Sequence, residues 1–444
     1  MPDPSQESPE SRPPSGGLTP PSPRGSLRQL VRDPLAYYLS LAREYGDLVC
    51  YRPAPEPAYL VNHPDYIKHV LVDNNRNYTK DTYINQMFKA QVGDGLLTSE
   101  GDAWRRQRRL MQPAFHQQRT FKLDTVITGA ASRMLDRWEV RRAAGHTLDI
   151  AAEMATLTLS ITTRALFGVD IGEEVNAVGE AVNVGADLLE KSPRHPRFQT
   201  GMQTVERVVD RIIAERRRPG GGSEDLLATL MQARDEETGT GMDDRQLRSQ
   251  VMTLLLAGYE TTASALAWTW FLVAQHPAVL EKLRREAQQV VGDRLPASAD
   301  LPDLAYTRMV FEEAMRLYPP AWILGRRALG EDKIDGYSVP ANTILAVSPY
   351  LMHRHPGFWT DPEAFDPERF TPERSAGRHR FAYIPFGAGP RLCIGNNFAM
   401  IEAQLIIALV ACRYRLRLEP GQEIKPEPIF ILRPNGPILM TLES

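Results

Sequence analysis

The stretch PFGAGPRLCIG, Pro385 to Gly395, holds three glycines, two prolines, an arginine and one of the chain's three cysteines. Proline removes backbone donors and glycine leaves φ loosely fixed, so these residues form neither a regular helix nor a regular strand. Directly behind them, IGNNFAMIEAQLIIALVAC carries a helical apolar pattern. A thiol set between an irregular loop and a helix start has three explanations. It is a small half-buried residue, the usual state of a free cysteine. It belongs to a phosphate loop, but the glycines do not space as G-x-G-x-x-G and no Gly-Lys-Ser/Thr follows. Or it is a thiolate that binds a metal.

The chemistry favours the third. Glycines allow the backbone to wrap closely around a sulfur, and N–H groups and a helix N-terminus turned toward it stabilise its negative charge. Phe386 is placed to shield one side and Arg391 to reach an anionic cofactor edge. A single thiolate suits haem, whose porphyrin already fills four positions around iron.

The rest of the chain bounds the answer. Its 444 residues are 42% hydrophobic and 24% charged, ordinary for a globular protein, and a net charge of −3 gives no reason to invoke nucleic acid. Only eight of 52 basic residues are lysine, so most cations are planar forks suited to clamping carboxylates. Cys50, Cys393 and Cys412 are too scattered for a disulfide framework or a zinc site, which fits a reducing cytoplasm. Residues 1–25, rich in Pro and Ser, are expected to be a disordered leader without the apolar core of a signal peptide or anchor.

Helix signals dominate the remainder. DPLAYYLSLAREYG (33–46) starts on Asp and ends on Gly, and VERVVDRIIAERRR (205–218) has i,i+4 apolar spacing that stops at PGGGS. DLVCYRPAPEPAYLV is expected to form two short strands about a proline-rich turn. A long helix is expected from Asp243 or Asp244 to the His276-Pro277 step. Glu260, with Thr253, Thr261, Thr262 and Ser264, argues against a membrane span and for a helix through a large core. Short strands follow in TILAVSPYL and ILRPNGPILMTL. The expected fold is mainly α with small β-sheets, one domain over 26–444.

Phe386-x-x-Gly389-x-Arg391-x-Cys393-x-Gly395 resembles the haem-binding loop of the cytochrome P450 family, five residue types matched within ten positions. The resemblance covers nearly the whole chain and implies the cytochrome P450 fold, with haem b as cofactor and Cys393 as its iron ligand. AGYETT (257–262) resembles the family's oxygen-binding segment. Glu260 and Thr261 would then be the acid and hydroxyl that supply protons to dioxygen, with Ala257 and Gly258 leaving it room. Glu260 stands where Asp is commoner and lengthens the acid arm by one methylene. Glu313-x-x-Arg316 and Arg369 in FDPERF correspond to a buried structural triad.

Trp104 and Arg108 share a helix face, with Ser99 and Asp102 placed like a capping box at its start, and resemble propionate-binding positions, as do Arg326 and Arg391. Arg105, Arg106 and Arg109 point elsewhere and are expected to form a solvated basic surface for an acidic electron-transfer partner. His353 and His355 would share a strand face, but no third ligand accompanies them.

On this resemblance the activity is insertion of one atom of O2 into an apolar small molecule such as a terpenoid or fatty acid. Electrons would come from NAD(P)H through a separate ferredoxin with its reductase, or a flavodoxin. A haem-thiolate peroxygenase or isomerase is disfavoured by the retained Glu260 and Thr261, and a haem-binding sensor by the lack of a visible output module. Neither nucleic acid nor a transmembrane anchor is implied. The pocket segments would be Thr82–Leu97, the region from Asp187 to Thr200, Trp322–Leu324 and Ile429–Leu432, with Tyr83, Met87, Phe88, Trp322, Ile323, Leu324, Phe430 and Leu432 as apolar lining.

Overall fold

Capping chemistry sets the bounds of the helices that frame the site. The computed structural model describes residues 18–23, 27–51, 57–115, 123–172, 174–189, 195–218, 225–235 and 237–443. Helix α1, Pro34–Tyr45, begins where Asp33 accepts the Ala36 N–H and ends on Gly46 at φ +90°. Helix α2, Tyr83–Val92, is capped by Thr82, and α3 is Gly101–Met111. Helix α4, Ile150–Phe167, is capped by Asp149; α5, Asp244–Gln275, is 32 residues long and capped by Asp243, as its sequence signals require. Helices α6, Ala305–Leu317, and α7, Asn396–Arg413, complete the frame. The helix expected over 205–218 starts earlier and runs Pro196–Arg217.

The capping box expected at Ser99 and Asp102 does not form. Glu100 is the N-cap of α3 and its side chain makes no cap bond. Ser99 is buried and spends its hydroxyl on Gln107 Oε1 at 2.9 Å, while Asp102 pairs with Arg105 outside.

Five short strands make the main sheet: β1 (Leu48–Cys50), β2 (Ala58–Val61), β3 (Tyr78–Thr79), β4 (Leu324–Ala328) and β5 (Ile344–Val347), in the order β1-β2-β5-β4-β3. Only β2 and β5 run parallel. The two strands expected around the proline-rich turn are β1 and β2; residues 52–56 of the turn lie outside the described residues. A hairpin of β6 (Pro426–Pro428) and β7 (Leu432–Pro434) stands near the C-terminal end. Part of the expected leader lies on the body: Leu18 exchanges backbone bonds with Gly336 and Ser338, and Pro21 O accepts the Cys50 N–H. Residues 1–17 and 24–26 lie outside the described residues.

Behind the loop of Cys393 the core is ionic. Glu313 and Arg316, three apart on α6, are both fully buried and meet through two bonds of 2.6 and 2.8 Å. Arg369 Nε donates to the same carboxylate at 3.2 Å, and so does the Asp366 N–H at 2.9 Å. Two guanidiniums against one carboxylate leave spare donors. Carbonyls of His353, Pro362, Thr360, Asp361 and Ala364 take them up. Such a network is stable only when complete, since one lost partner in a buried pair costs about 3–5 kcal/mol.

His353 extends this network toward the loop. It lies in the turn after a short helix, Pro349–Met352, not on a strand as expected. Nε2 accepts the Ile384 N–H at 2.8 Å, so the proton sits on Nδ1 and faces Arg316 O at 3.3 Å. Ile384 is the residue before the loop, so a neutral imidazole ties α6 to the loop's entrance. His355 instead meets Asp47 at 3.0 Å, and among the described residues no cluster of His, Cys, Asp and Glu is arranged to hold a metal ion.

A charged His353 would set one N–H against another. Burial, and then the Arg316 charge, lower its pKa from 6.5 to about 3. Its contribution to stability is therefore complete above 6.5 and lost as pH falls toward 3, at about 1.4 kcal/mol per pH unit. His353→Gln should flatten the acid limb of the stability curve in denaturant titrations across that window. An acid limb of wild-type slope would contradict this.

Candidate active site

Two left-handed glycines shape the loop of Cys393: Gly387 has φ +73° and Gly389 φ +69°. A Cβ on Gly389 would fall 1.9 Å from Leu71 O, so only glycine lets the loop lie against that backbone. The Cys393 N–H then reaches back to Phe386 O at 3.0 Å and closes the turn. Gly395, the N-cap of α7, turns its N–H toward the thiol.

Burial pushes the Cys393 thiol up, opposed by the Gly395 N–H and the Arg108 guanidinium. Yet the side chain is exposed, whereas Cys50 and Cys412 are buried. A group both desolvated and accessible lies on the wall of an internal cleft. Helix α5 shows a matching window: Ala257 is exposed in the middle of a helix buried at Leu254, Leu255 and Tyr259. Thr261, one turn on, is half-buried and donates to Ala257 O at 2.8 Å. Gly258 does not open this space. A Cβ there would meet Thr162 of α4 at 3.1 Å, so this glycine serves helix contact and the room expected beside it falls to Ala257 alone.

Cations gather at one end. Arg391 lies 4.0 Å over the Trp104 ring, donates to Ser99 O at 2.9 Å and pairs with Glu100 at 2.8 Å. Glu100 also accepts the Lys80 N–H at 3.1 Å, while Lys80 Nζ donates to Leu97 O. Arg326 on β4 is buried, and among the described residues its guanidinium bonds only Gly325 O, at 2.8 Å. Burial lowers all three cations, Arg326 and Arg391 to about 10 and Lys80 to about 7, and for Lys80 the guanidiniums of Arg326 and Arg391 add to the effect.

Three desolvated cations, Arg326 buried and Lys80 and Arg391 partly so, have Glu100 as the one carboxylate that acts on them all. That imbalance is stable against a dianion, and the two propionates of haem supply one, with the Cys393 sulfur available to iron. The residues present fit the cofactor. Arg108 is turned differently from expectation: it donates to Leu392 O at 3.0 Å and stitches α3 to the loop. Lys80 was not singled out in the sequence, because nothing local marks it; its meaning comes from Arg326, far along the chain.

Of the solvated basic surface expected of Arg105, Arg106 and Arg109, Arg105 and Arg109 stay exposed but are paired with carboxylates, and Arg106 is drawn in among neutral acceptors. Arg106 donates to Gln246 at 3.1 Å and Gly241 O at 2.6 Å, and Arg109 pairs with Asp235 and Glu237, both at 2.9 Å. The apolar lining is also narrower than expected. Trp322 is core, donating to Ile429 O at 2.8 Å, and Leu432 is fully buried, whereas Tyr83 is 70% exposed on the surface. Phe88 and Phe430 stack with centroids 3.9 Å apart, joining α2 to the β6–β7 hairpin, and Met87, Ile323 and Leu324 are half-buried. Within the segment expected from Asp187 to Thr200, residues 190–194 lie outside the described residues.

The comparisons with known proteins agree. The profile of the family "Cytochrome P450" matches residues 16–442. Cyclooctatin synthase of Streptomyces melanosporofaciens is 40% identical over 434 residues, covering 94% of this chain and 93% of that protein. Pentalenene oxygenase of Streptomyces avermitilis is 32% identical, covering 90% and 91%. Among solved structures, the cytochrome P450DA heme domain superposes with a TM-score of 0.87 at 26% identity, covering 96% and 98%. The chain belongs to the cytochrome P450 family. It is a haem b monooxygenase that draws electrons from a redox partner. Among the described residues no helix is long and apolar enough to cross a membrane.

If Lys80 helps to hold a propionate, Lys80→Met should release haem to an acceptor protein ~10- to 100-fold faster, the worth of one charge-assisted hydrogen bond. Lys80→Arg should retain it. Equal release rates for wild type and Lys80→Met would remove Lys80 from the site.

Proposed function

We propose that this enzyme oxygenates a terpenoid hydrocarbon or alcohol, with Glu260 and Thr261 as its proton-delivery pair. The observation that carries the substrate class is the lining itself. Met87, Phe88, Ile323, Leu324 and Phe430 are apolar and bulky, and none of these described side chains offers a charge to anchor a fatty-acid carboxylate. The names of the relatives point the same way, cyclooctat-9-en-7-ol 5-monooxygenase of S. melanosporofaciens (37% identical) among them.

In this reading Cys393 ligates iron, Phe386 and Gly395 flank the sulfur, and Trp104, Arg326, Arg391 and Lys80 hold the propionates, with Arg108 steadying the loop. Bound haem supplies reductive activation of O2, and thiolate ligation favours O–O cleavage. The chain's own task is to deliver two protons and exclude stray water. Thr261 keeps its proton on Ala257 O in the resting state, so its lone pairs face the cleft and accept a hydrogen bond there. Glu260, the preceding residue, replaces the proton that Thr261 passes on. Ala257, beside the cleft, carries no group that competes.

Electrons reach the haem from NAD(P)H through a ferredoxin and its reductase, or a flavodoxin. We read residues 26–444, with 18–23 laid against them, as one catalytic unit working in the cytoplasm, where three unpaired cysteines persist.

Two measurements check this. Spectral titration with cyclooctat-9-en-7-ol, pentalenene and a long-chain fatty acid should show the terpenoids binding at least tenfold tighter; the opposite order would contradict the substrate class. Thr261→Ala should divert most reducing equivalents into peroxide, and undiminished coupling would remove Thr261 from proton delivery.

A further inference from the structure

We propose that Arg433, on the β6–β7 hairpin, is a positioning residue for Glu260: its guanidinium orients that carboxylate and holds it ionised between proton transfers. This rests on the reading of Glu260 and Thr261 as the proton-delivery pair.

Glu260, Ser264 and Trp268 stand at intervals of four on α5 and so share one stripe of the helix. Ser264 Oγ donates to Leu432 O at 2.7 Å, and Trp268 Nε1 donates to the same oxygen at 3.2 Å. From the other side the Leu432 N–H is held by Pro320 O at 2.9 Å. Strand β7 is thus pinned by its backbone along the stripe that carries Glu260. Arg433 is the next residue. Across the hairpin it faces Glu427, whose Oε2 accepts from Arg433 Nε at 3.1 Å.

An ordinary surface ion pair would explain that bond and little more. Burial distinguishes the two partners: the Arg433 side chain is 18% exposed and that of Glu427 42%. A surface pair would leave both in water. Tyr259, the neighbour of Glu260, supplies a further sign of proximity. Burial pushes its phenol well above the ordinary value; of the charges acting on it, Glu260 raises it and Arg433 lowers it. A carboxylate and a guanidinium that both act on one buried phenol occupy the same small region.

Glutamate has a use for such a partner. Its additional methylene gives the carboxylate one more torsion than aspartate, hence more ways to point away from Thr261. A guanidinium is a planar fork that fixes a carboxylate in one orientation, and its charge favours the ionised form. Because β7 is locked to α5 through Leu432 O, the fork arrives preorganised. Glu427, at the exposed end, keeps the guanidinium extended along the hairpin.

The experiment uses holoenzyme with a plant-type ferredoxin and its reductase, and cyclooctat-9-en-7-ol as probe ligand. NADPH consumption, peroxide per NADPH and the pH profile are read for wild type, Glu260→Gln, Arg433→Gln, Arg433→Lys and the double variant Glu260→Gln/Arg433→Gln. Arg433→Gln should lower NADPH-driven turnover about tenfold, a fraction of what general acid–base catalysis contributes. The alkaline limb set by Glu260, which donates in its protonated form, should move to higher pH, because Glu260 loses the charge that favours ionisation. Haem content should stay at the wild-type level, Arg433→Lys should recover most of the rate, and the double variant should match Glu260→Gln alone.

A normal rate and profile for Arg433→Gln beside an impaired Glu260→Gln would overturn the inference and leave the proton-delivery reading standing. Normal behaviour of Glu260→Gln would instead sink that reading, and this inference with it. Fully multiplicative losses in the double variant would also overturn the inference, because Arg433 would then act elsewhere. If Arg433→Gln loses haem, Arg433→Lys decides: a shifted pH profile with full haem supports the assignment, and an unshifted one refutes it.

Discussion

One carboxylate closes the proximal half of this molecule. Glu313 accepts from two guanidiniums and a backbone amide in a place from which water is excluded. The residues it gathers come from α6 and from the run 353–370, which lacks long regular elements. From that run His353 reaches to Ile384, and Ile384 opens onto the loop of Cys393. The position of the sulfur is thereby inherited from a salt bridge several residues removed. Apolar packing alone, being non-directional, would not set a loop so rich in glycine to within a fraction of an ångström.

The molecule holds two charge imbalances, and they differ in kind. Around Glu313 the surplus of one guanidinium is absorbed by five backbone carbonyls, so the site is finished by protein alone. Around Glu100 each of the three cations finds, among the described residues, one backbone carbonyl (Leu97 O, Gly325 O or Ser99 O), and Lys80, Arg326 and Arg391 all hold their protons less firmly than they would in water. A closed imbalance is architecture, and an open one is a binding site for an anion. The arrangement proposed for Arg433 is a third, in which a hairpin strand would carry a cation to the helix of Glu260.

Much of this was legible in the chain. Asp33, Gly46 and Asp243 announced their helix ends because capping is local, and the loop of Cys393 announced itself because glycine, proline and a thiol are each informative alone. The triad followed from the family resemblance once the loop had established it. What escaped depends on partners distant in sequence. Ser99 looks like a cap, but Gln107 competes for its hydroxyl in the core. Gly258 looks like space for oxygen until Thr162 is seen against it. Arg106 looks solvated until Gly241 and Gln246 meet it, and Trp322 and Leu432 look like pocket until their bonds to Ile429 O, Ser264 and Trp268 place them in the core. Lys80 gave no signal at all, since a lysine in a polar stretch is ordinarily a surface residue.

The central claim is that the Cys393 sulfur, alone of the three cysteines, is bound to iron as a thiolate. The absorption spectrum of the reduced carbonyl complex tests it most directly, in wild type and in Cys393→Ser. The account predicts the long-wavelength band of thiolate-ligated haem in the first and its loss in the second. A Cys393→Ser protein that kept the band unchanged, or a wild type that showed only the band of imidazole-ligated haem, would contradict it.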